Sequence, residues 1–442
     1  MFESSKPVKS AWPGRKARER LEPPATGRTG SIATQLTVTG VDRQGVQSRH
    51  RLDRRWLGSR RSGLLAVLAV SPFVLQSLGF LYTGLSLGLD FQPLRHAGQA
   101  VLHGRSVYAD HFFVYPPSAA PLLLPFAAGS SMAAYQAWLA LSLLALLTAA
   151  VLIARAARPT FRWLVFAAAV AGLFSSTVAA GSLWLGNLSV LLVPVAVLIL
   201  LAFHRQHWVL GCAILAGSLL VKPLLAPLLL VPAVRRRWRA LLLTMPPAAA
   251  LLGLAMLLVP GGREFGRVLA YTVNGTNLHG ADAVKNLSVR GWAEAQHWPG
   301  PAATLLAGAV LGVVAAAVVV RVRRVGSAQL PILWLANVAL LTTLLVGRLA
   351  EVHFLLTLLA TVLLQLVLEP GRSGRLGLLP GLLLLGLPAQ YVSVLVGPQQ
   401  SSQSYLIAGE VLLLAGLLLA PTPRPQPASA PVAVSELLEV AA

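Results

Sequence analysis

The stretch "WVLGCAILAGSLLVKPLLAPLLLVPAVRRRWR", Trp208–Arg239, decides the fold of this chain. It is apolar from Trp208 to Val234 except at Lys222 and Pro223, and four arginines follow within five residues. A single membrane-crossing helix here would carry those arginines outside, although Lys and Arg concentrate in cytoplasmic loops. Proline interrupts a helix because its ring clashes with the preceding turn. The stretch therefore predicts a re-entrant hairpin of two half-helices that returns the arginines to the cytoplasm.

The composition places the chain in a membrane. Of its 442 residues, 56% are hydrophobic and 12% are charged, and the mean hydropathy is +0.70. These values exclude an ordinary soluble globular protein and indicate a polytopic membrane protein. The single cysteine, Cys212, excludes an intrachain disulfide and a cysteine-based metal cluster. The first apolar run follows a long basic segment, which does not have the form of a cleavable signal peptide.

The apolar runs outside the hairpin are counted against a bilayer core about 30 Å thick, which needs roughly 20 residues per helix. They are Gly63–Tyr82, Met132–Ala154, Leu164–Ala180, Leu188–Phe203, Leu241–Val259, Ala302–Val320, Ile332–Val346, Phe354–Leu368, Leu376–Val396 and Tyr405–Ala420. With the hairpin counted as two, the prediction is an all-α fold of about twelve membrane segments over residues 63–420. Residues 1–62 are expected to be a disordered basic cytoplasmic N-terminus, and residues 421–442 a Pro-rich cytoplasmic tail.

The charges agree with this topology. It places 28 of the 36 Lys and Arg residues in the cytoplasm and seven outside, with Lys222 inside the membrane. This asymmetry accounts for the formal net charge of +21. A basic cytoplasmic tail usually meets anionic lipid, so nucleic acid is a minor alternative and is not expected as a partner.

The first outer loop, residues 83–117, contains a predicted amphipathic helix on the outer leaflet. Its apolar positions recur at helical spacing with polar residues opposite, and are Leu94, Ala97, Val101 and Leu102. Pro93 suits the first turn of that helix, which places Asp90 just before it. The Asp90 carboxylate either satisfies free amides at the helix start or serves outward-facing chemistry, and these residues alone leave both open.

Charged residues in the apolar segments have two interpretations each. A lysine in the membrane costs roughly 3 kcal/mol, so Lys222 either has an anionic partner or extends to the outer interface. Arg348, Glu351 and His353 either form a second polar cluster at the outer end of a span, or the first two simply pair at the i,i+3 spacing of a helix. Glu410, near the outer end of the last segment, is expected to be protonated or to extend to the interface, and not to be catalytic.

The sequence shows none of the common motifs of soluble enzymes. The sequence has no Walker motif, GxGxxG fingerprint, HExxH, GxSxG elbow or Cys/His metal pattern. Its outer carboxylates are few and well separated, so neither a metal nor another cofactor is expected. Three triplets match the glycosylation pattern, at Asn187, Asn274 and Asn286, but so short a pattern arises readily by chance. A secondary transporter should show an internal repeat, and none is found. A lipid-carrier flippase or an inactive scaffold would keep the membrane pattern without needing Asp90.

Several motifs in this order resemble one family. They are "LDFQPLRHA" around Asp90, the G-x-x-x-Y of Gly104–Tyr108, "YPP" at Tyr115–Pro117, "GN" at Gly186–Asn187, and "KPLLAPLLLVP" followed by "RRRWRAL". Together they resemble the membrane glycosyltransferases of family 87, which have the GT-C architecture, from about Gly63 to Ala420. The first and last motifs are most similar to actinobacterial α-(1→3)-arabinofuranosyltransferases, and related mannosyltransferases share the general pattern. At "EVHF", Glu351–Phe354, the chain departs from the aromatic-rich stretch expected there.

The resemblance implies inverting transfer of a sugar from a polyprenyl-phosphate donor to a cell-envelope glycan acceptor, outside the cytoplasmic membrane. Arabinofuranose is the expected sugar and mannose the alternative. Asp90 is then the general base. The residues expected to bind the donor phosphate are Lys222, Arg348 and His353. Those expected to contact the acceptor or sugar are Asp110, His111, Tyr115, Trp292 and Glu294.

Overall fold

The computed structural model describes residue 71 and residues 88–273, 286–347, 352–369, 372–386 and 399–420. The regular elements in these ranges are helices. In chain order they are α1 Phe91–Leu102, α2 Ser131–Ala156, α3 Arg162–Ser175, α4 Thr177–Leu185, α5 Ser189–His204, α6 Trp208–Leu219, α7 Leu230–Val234, α8 Trp238–Leu258, α9 Phe265–Val273, α10 Val289–Ala295, α11 Gly300–Val325, α12 Ile332–Val346, α13 Val352–Leu368, α14 Arg372–Gly386 and α15 Gln399–Leu419. The predicted N-terminal and C-terminal segments, 1–62 and 421–442, lie outside the described residues.

The described helices confirm an all-helical membrane protein. Three of them, α2, α8 and α11, are long and apolar enough to cross a bilayer. Nine further described segments are apolar but shorter. Most described helices begin and end close to the predicted apolar runs, and α12 matches its run, Ile332–Val346, at both ends. The predicted first span, Gly63–Tyr82, lies outside the described residues apart from Ser71, so the total of twelve segments stays a prediction.

The predicted break at Lys222 is present. Helix α6 ends at Leu219, Lys222 is extended with φ −156° and ψ 127°, and a 3₁₀ helix runs over Pro223–Leu229 before α7. Proline has no backbone N–H and its ring crowds the preceding turn, which disfavours a continuous α-helix through this segment. The 3₁₀ helix packs against α6, which gives the stretch the broken form that a hairpin requires.

A second break, at Ser176, was not predicted. The run Leu164–Ala180 reads as one continuous helix, but the chain forms two helices here, α3 and α4. Ser176 has an extended backbone with ψ 151°, and its hydroxyl accepts a hydrogen bond from the Ala179 N–H at 3.1 Å. Serine side chains compete with the helix for backbone hydrogen bonds and favour the first position of a new helix.

Helix α1 forms where the amphipathic helix is predicted, but most of its apolar face packs on protein and not on lipid, and Leu102 is 57% exposed. Leu94 and Ala97 are fully buried. This face contacts a second 3₁₀ helix, Pro117–Phe126. A side chain at Gly98 would approach the Leu123 carbonyl oxygen to 2.7 Å, so glycine permits the close contact. The described part of the first outer loop, residues 88–117, is therefore folded back onto the protein.

Two hydrophobic cores organise the described chain. The larger one lies among the apolar helices from α2 to α15. The smaller one, here called the loop core, lies under the first outer loop, and its largest members are Phe91, Tyr108, Phe113, Tyr115, Tyr135, Trp138 and Phe265. Its aromatic rings pack against one another, and the ring centres of Phe91 and Trp138 are 5.4 Å apart. Burying side chains of this size is a strong stabilising contribution, so the outer loop is held as a packed unit.

A glycine turn joins α4 to α5 and contacts the start of α1. Gly186 has φ +70° and ψ 36°, and its N–H donates to the Leu183 carbonyl at 3.1 Å. The next N–H, of Asn187, donates to the Ser182 carbonyl at 3.1 Å, which closes a Schellman turn. A Cβ at Gly186 would lie 2.8 Å from the Phe91 Cβ. Glycine is needed here both for its backbone conformation and for the space.

A cluster of charged side chains, with Arg321 buried and Glu369 half-buried, joins four helix ends. Just beyond α13, a Glu369 carboxylate oxygen accepts a hydrogen bond from the Leu333 N–H, at the start of α12. Arg321 of α11 stacks on the Trp334 ring at 4.3 Å and donates to the Ala420 carbonyl, beyond α15. Burial raises the pKa of Glu369 to about 7, against the opposing effects of the Leu333 N–H and the Arg321 charge. The cluster therefore ties α11, α12, α13 and α15 together.

Gly186→Ala should destabilise the protein more than Gly104→Ala. Both glycines have positive φ, +70° and +62°, where a side chain costs about 1–2 kcal/mol. A Cβ at Gly104 has no heavy atom within 4 Å, whereas one at Gly186 collides with Phe91. Thermal melting in detergent should therefore show the larger loss for Gly186→Ala. Equal losses of melting temperature in the two variants would mean that the close contact between the Gly186 turn and Phe91 does not contribute to stability.

Candidate active site

The Asp90 carboxylate does not cap α1. Asp90 occupies the position before the helix, but its side chain makes no hydrogen bond to the helix amides. Its Oδ2 instead accepts a hydrogen bond from Asn187 Nδ2 at 2.6 Å. Its own backbone N–H donates to the Leu185 carbonyl at 2.9 Å, at the end of α4. The capping interpretation of Asp90 is therefore wrong, because a contact across the fold takes the carboxylate.

Asn187 uses both ends of its side-chain amide. Its Oδ1 accepts from the backbone N–H of Ser189 at 2.9 Å and from Lys222 Nζ at 3.1 Å. Because a backbone N–H can only donate, the amide oxygen must face Ser189, and the Nδ2 group then faces Asp90. The residue is 3% exposed. A buried neutral amide thus links a carboxylate to an ammonium.

Lys222 is held by groups from three parts of the chain. Its Nζ donates to Ser189 Oγ at 2.7 Å, besides its bond to Asn187. The ammonium also lies 5.1 Å from the centre of the Tyr115 ring and 4.9 Å from that of Phe354. Aromatic faces attract a cation at these distances. The carboxylate of Asp90 is reached through Asn187, and among the described ion pairs none joins Asp90 directly to Lys222.

The "YPP" motif is tied to both sides of this site. The Tyr108 hydroxyl donates to the Tyr115 carbonyl at 2.8 Å. Burial raises the pKa of Tyr108, and the negative charge of Glu264 raises it further, so this hydroxyl remains a donor. The Ser118 hydroxyl donates to the Leu220 carbonyl, next to the break before Lys222. The motif therefore positions the Tyr115 ring against the ammonium.

Of the other two predicted phosphate ligands, the structure describes His353. His353 is 2% exposed at the start of α13 and packs edge-to-face on the ring of its neighbour Phe354, with 4.7 Å between ring centres. Phe354 in turn faces Lys222, so His353 lies beside the site. Arg348 and Glu351 lie outside the described residues, as does the predicted pair between them.

Asp110 and His111 form part of the exposed surface of the first outer loop. Asp110 Oδ2 lies 2.8 Å from His96 Nδ1 of α1. Its other oxygen accepts from the Phe112 N–H at 3.0 Å. The exposed His111 ring lies against the Phe112 ring, with 4.1 Å between centres. These side chains can offer hydrogen bonds and a ring face at the surface above the loop core.

Trp292 and Glu294 of α10 have local partners. Glu294 accepts from Arg290 Nε at 2.7 Å, one helical turn away. The Trp292 indole N–H donates to Ser404 Oγ of α15 at 3.2 Å. Helix α10 packs against α11, α12 and α15. No described contact brings either residue to Asp90.

Sequence reasoning missed three residues that the structure adds to the site, namely Asn187, Ser189 and Phe354. Asn187 stood in the "GN" motif without a role. Ser189 follows it in the triplet "NLS", and a second "NLS" begins at Asn286. The Asn286 side chain makes the same local bond, from the Ser288 N–H at 3.1 Å, and is likewise 3% exposed. Both asparagines are buried in turns, which does not suit glycosylation, and the Asn274 triplet lies outside the described residues.

The site offers hydrogen-bonding and charged groups. It holds a partly exposed carboxylate, a buried amide and an ammonium held against two rings, which suit an anionic ligand and a proton acceptor side by side. In the part of the chain that the structure describes, no three His, Cys, Asp or Glu side chains come together as metal ligands would. The carboxylate, the amide and the ammonium can support acid–base and electrostatic chemistry.

Comparison with known proteins points to sugar transfer. A family model described as glycosyltransferase family 87 matches residues 113–347, just over half of the chain. An alpha-(1->3)-arabinofuranosyltransferase of Corynebacterium glutamicum is 28% identical over 185 residues, which cover 40% of this chain and 44% of that protein. A protein of the same name from Mycobacterium tuberculosis is 31% identical over 162 residues, 34% of this chain and 37% of that protein.

These matches are partial. The chain spans less than half the length of the curated relatives it matches. The family match contains Tyr115, Asn187 and Lys222 and ends before His353, while Asp90 precedes it. No solved structure matches the chain.

Proposed function

The chain belongs to glycosyltransferase family 87, and from that membership we propose that it moves a sugar from a polyprenyl-phosphate donor to a hydroxyl of a cell-envelope glycan. The observation that carries the proposal is the hydrogen-bonded series from Asp90 through Asn187 to Lys222. It sets a proton acceptor and a phosphate-binding cation on two sides of one amide. Arabinofuranose is the proposed sugar because both relatives bear that name, and mannose is the alternative.

The proposed reaction is a displacement with inversion at the anomeric carbon. The acceptor oxygen forms a bond to that carbon while the bond from carbon to the donor phosphate oxygen breaks. The electron pair of the broken bond leaves with the phosphate, and the acceptor proton moves to Asp90. A positioned carboxylate typically contributes about 10²–10⁴-fold by such proton transfer.

The leaving phosphate gains negative charge as the bond breaks, and Lys222 is proposed to stabilise it. A cation fixed in place before the reaction needs no reorganisation at that moment. The two rings and two oxygens around Nζ hold the ammonium in position. His353 and Arg348 are proposed as neighbouring phosphate ligands. Tyr115 at the lysine, and Asp110 and His111 at the surface, are proposed to contact the sugars.

The proposed setting is the outer face of the cytoplasmic membrane. The scheme has about twelve membrane segments over residues 63–420, with the stretch broken at Lys222 forming the re-entrant hairpin. Residues 1–62 and 421–442 are then cytoplasmic, and the first outer loop carries Asp90 on the other side. The donor lipid would remain in the bilayer while its phosphate reaches Lys222 at headgroup level.

Sugar transfer is tested directly with purified protein. It is incubated with polyprenyl-phosphoryl arabinose or polyprenyl-phosphoryl mannose and a short glycan acceptor, and an extended product is sought by mass spectrometry. Extension with arabinose alone supports the proposal, and extension with mannose alone supports the alternative sugar. Movement of the lipid donor across proteoliposomes without any product would indicate a flippase instead.

Asp90→Asn should abolish most of the transfer without disturbing the fold. The asparagine oxygen can still accept the hydrogen bond from Asn187, but the group is no longer basic. The rate of transfer should fall at least about a hundredfold, with an unchanged melting temperature and unchanged binding of the donor lipid.

Asp110→Asn is the comparison for this experiment, because Asp110 lies in the same loop and pairs with His96. Its loss of rate should be much smaller than that of Asp90→Asn. Near-parental turnover of Asp90→Asn would refute the assignment of Asp90 as the base and direct the search to Asp110 or Glu294.

Lys222→Met should weaken donor binding while preserving the fold. A methionine side chain is close in length and fits between two aromatic rings, which sulfur contacts favourably. Hydrogen bonds to charged groups contribute about 1.5–3 kcal/mol, so binding of polyprenyl phosphate should fall about tenfold or more. Equal binding by the variant and the parent, measured by quenching of intrinsic fluorescence, would exclude Lys222 as the phosphate ligand.

The sidedness can be tested by cysteine labelling, since the single native cysteine, Cys212, is fully buried. In intact cells an impermeant maleimide should label Phe112→Cys, at a side chain that is 67% exposed in the first outer loop. It should not label Arg236→Cys, which follows the broken stretch, until the cells are opened. Labelling of Arg236→Cys from outside would reverse the scheme.

A further inference from the structure

Two turns of the protein have the same local chemistry and different surroundings. In both "NLS" triplets the asparagine Oδ1 accepts the backbone N–H of the serine two residues later. Each turn stands at the start of a helix, α5 or α10. A short polar side chain in this position is an ordinary helix-starting turn. The local turn therefore accounts for one bond of Asn187 and leaves its contacts with Asp90 and Lys222 to be explained.

Those two further contacts have fixed polarity. Because the Ser189 N–H holds Oδ1, Asn187 can present only its N–H groups to Asp90. Its oxygen is then the group that meets the Lys222 ammonium. The carboxylate receives a donor and the ammonium receives an acceptor, each from a neutral group. A charged side chain at this position would favour one of them and repel the other.

The alternative to this bridge is a direct ion pair. Two opposite charges in contact attract each other, and more strongly in a partly buried site than in water. Such a pair would engage the carboxylate that must take a proton and the ammonium that must meet a phosphate. With the amide between them, Asp90 Oδ1 receives no hydrogen bond from a described residue, and Asp90 is partly exposed.

We propose that Asn187 is a positioning residue that holds Asp90 and Lys222 apart and so keeps the two charges from pairing with each other. It also aims the second carboxylate oxygen of Asp90 at the acceptor. The inference rests on the proposed function, since it assigns Asn187 a part in that reaction. Asn187 touches neither reacting atom and acts through the two residues it joins.

Asn187→Asp tests the polarity of the bridge. The new carboxylate would keep the bonds to Ser189 and Lys222, but it would lie against Asp90. Two carboxylates in contact do not both ionise readily. They share a proton instead, and the shared proton keeps Asp90 from acting as a base. We expect transfer at pH 7 to fall at least about tenfold and to recover as the pH is raised. The transfer rate of the variant rises with pH because higher pH removes the shared proton.

Asn286→Asp is the matched control. It makes the same substitution in the same kind of turn, at the same 3% exposure, away from the described contacts of Asp90. Its rate should change by the same small factor at every pH. If Asn187→Asp also loses rate equally at every pH, its role is only to start a helix, and the proposal is refuted.

Asn187→Ser provides a second test should the aspartate variant fail to fold. A serine hydroxyl can accept the same backbone N–H and start α5, but it is too short to bridge Asp90 and Lys222. We expect the transfer rate to fall about 10²-fold through misplacement of the base, with a melting temperature close to that of Asn286→Ser. Near-parental turnover of Asn187→Ser would overturn the proposal.

The parent protein, measured beside the variants, separates the two hypotheses. A parent that transfers no sugar refutes the proposed function. A parent that transfers sugar, together with variants at Asn187 that do so equally well, refutes the positioning role alone. Binding of polyprenyl phosphate gives a readout without turnover, and Asn187→Ser should weaken it because Lys222 loses an oxygen partner.

Discussion

The free carbonyl groups at the end of α4 are the constraint on which the site depends. Helix ends leave such groups without partners inside the helix, and in an apolar setting each must find a donor. Here the N–H groups of Gly88 and Asp90 donate to the Trp184 and Leu185 carbonyls, both at 2.9 Å. The Tyr135 hydroxyl lies 3.1 Å from the Leu183 carbonyl. The start of the first outer loop is thus fastened by its backbone to the end of α4.

The position of Asp90 follows from that fastening. The turn at Gly186 ends α4 and places Asn187 immediately beyond the carbonyl groups that hold the loop. Asp90 and Asn187 are therefore brought together by backbone geometry before their side chains interact. The loop core restrains Asp90 from its other side. The next residue, Phe91, packs on Trp138 and limits the movement of the backbone that carries the carboxylate.

A charged group in a membrane protein must be stabilised by its neighbours, and Lys222 shows how this chain does so. The break in the stretch frees the lysine from a helix, and its extended backbone directs it to Ser189 and Asn187. Two aromatic rings add attraction without adding an opposite charge. These described partners hold the ammonium in place and are themselves uncharged.

The sequence predicted the features that depend on residues close together in the chain, such as the helices and the break at Lys222. Apolar runs predicted most of the helices, and the charge of Lys222 together with Pro223 and the arginines that follow predicted the break. The break at Ser176 was missed because an apolar run continues through it. The i,i+4 spacing of Arg290 and Glu294 could have revealed their pairing. The bond of Asp90 to Asn187 joins residues 97 positions apart, and no local pattern contains it.

The spacing across Asn187 suits a displacement with inversion better than an ion pair would. In such a reaction the attacking and leaving oxygens lie on opposite sides of the anomeric carbon. A base that serves the first and a cation that serves the second therefore have to stand apart. A bridge of two hydrogen bonds and one amide, 2.6 Å and 3.1 Å at its ends, maintains such a separation. The amide carries no net charge, so it imposes the distance without neutralising either group.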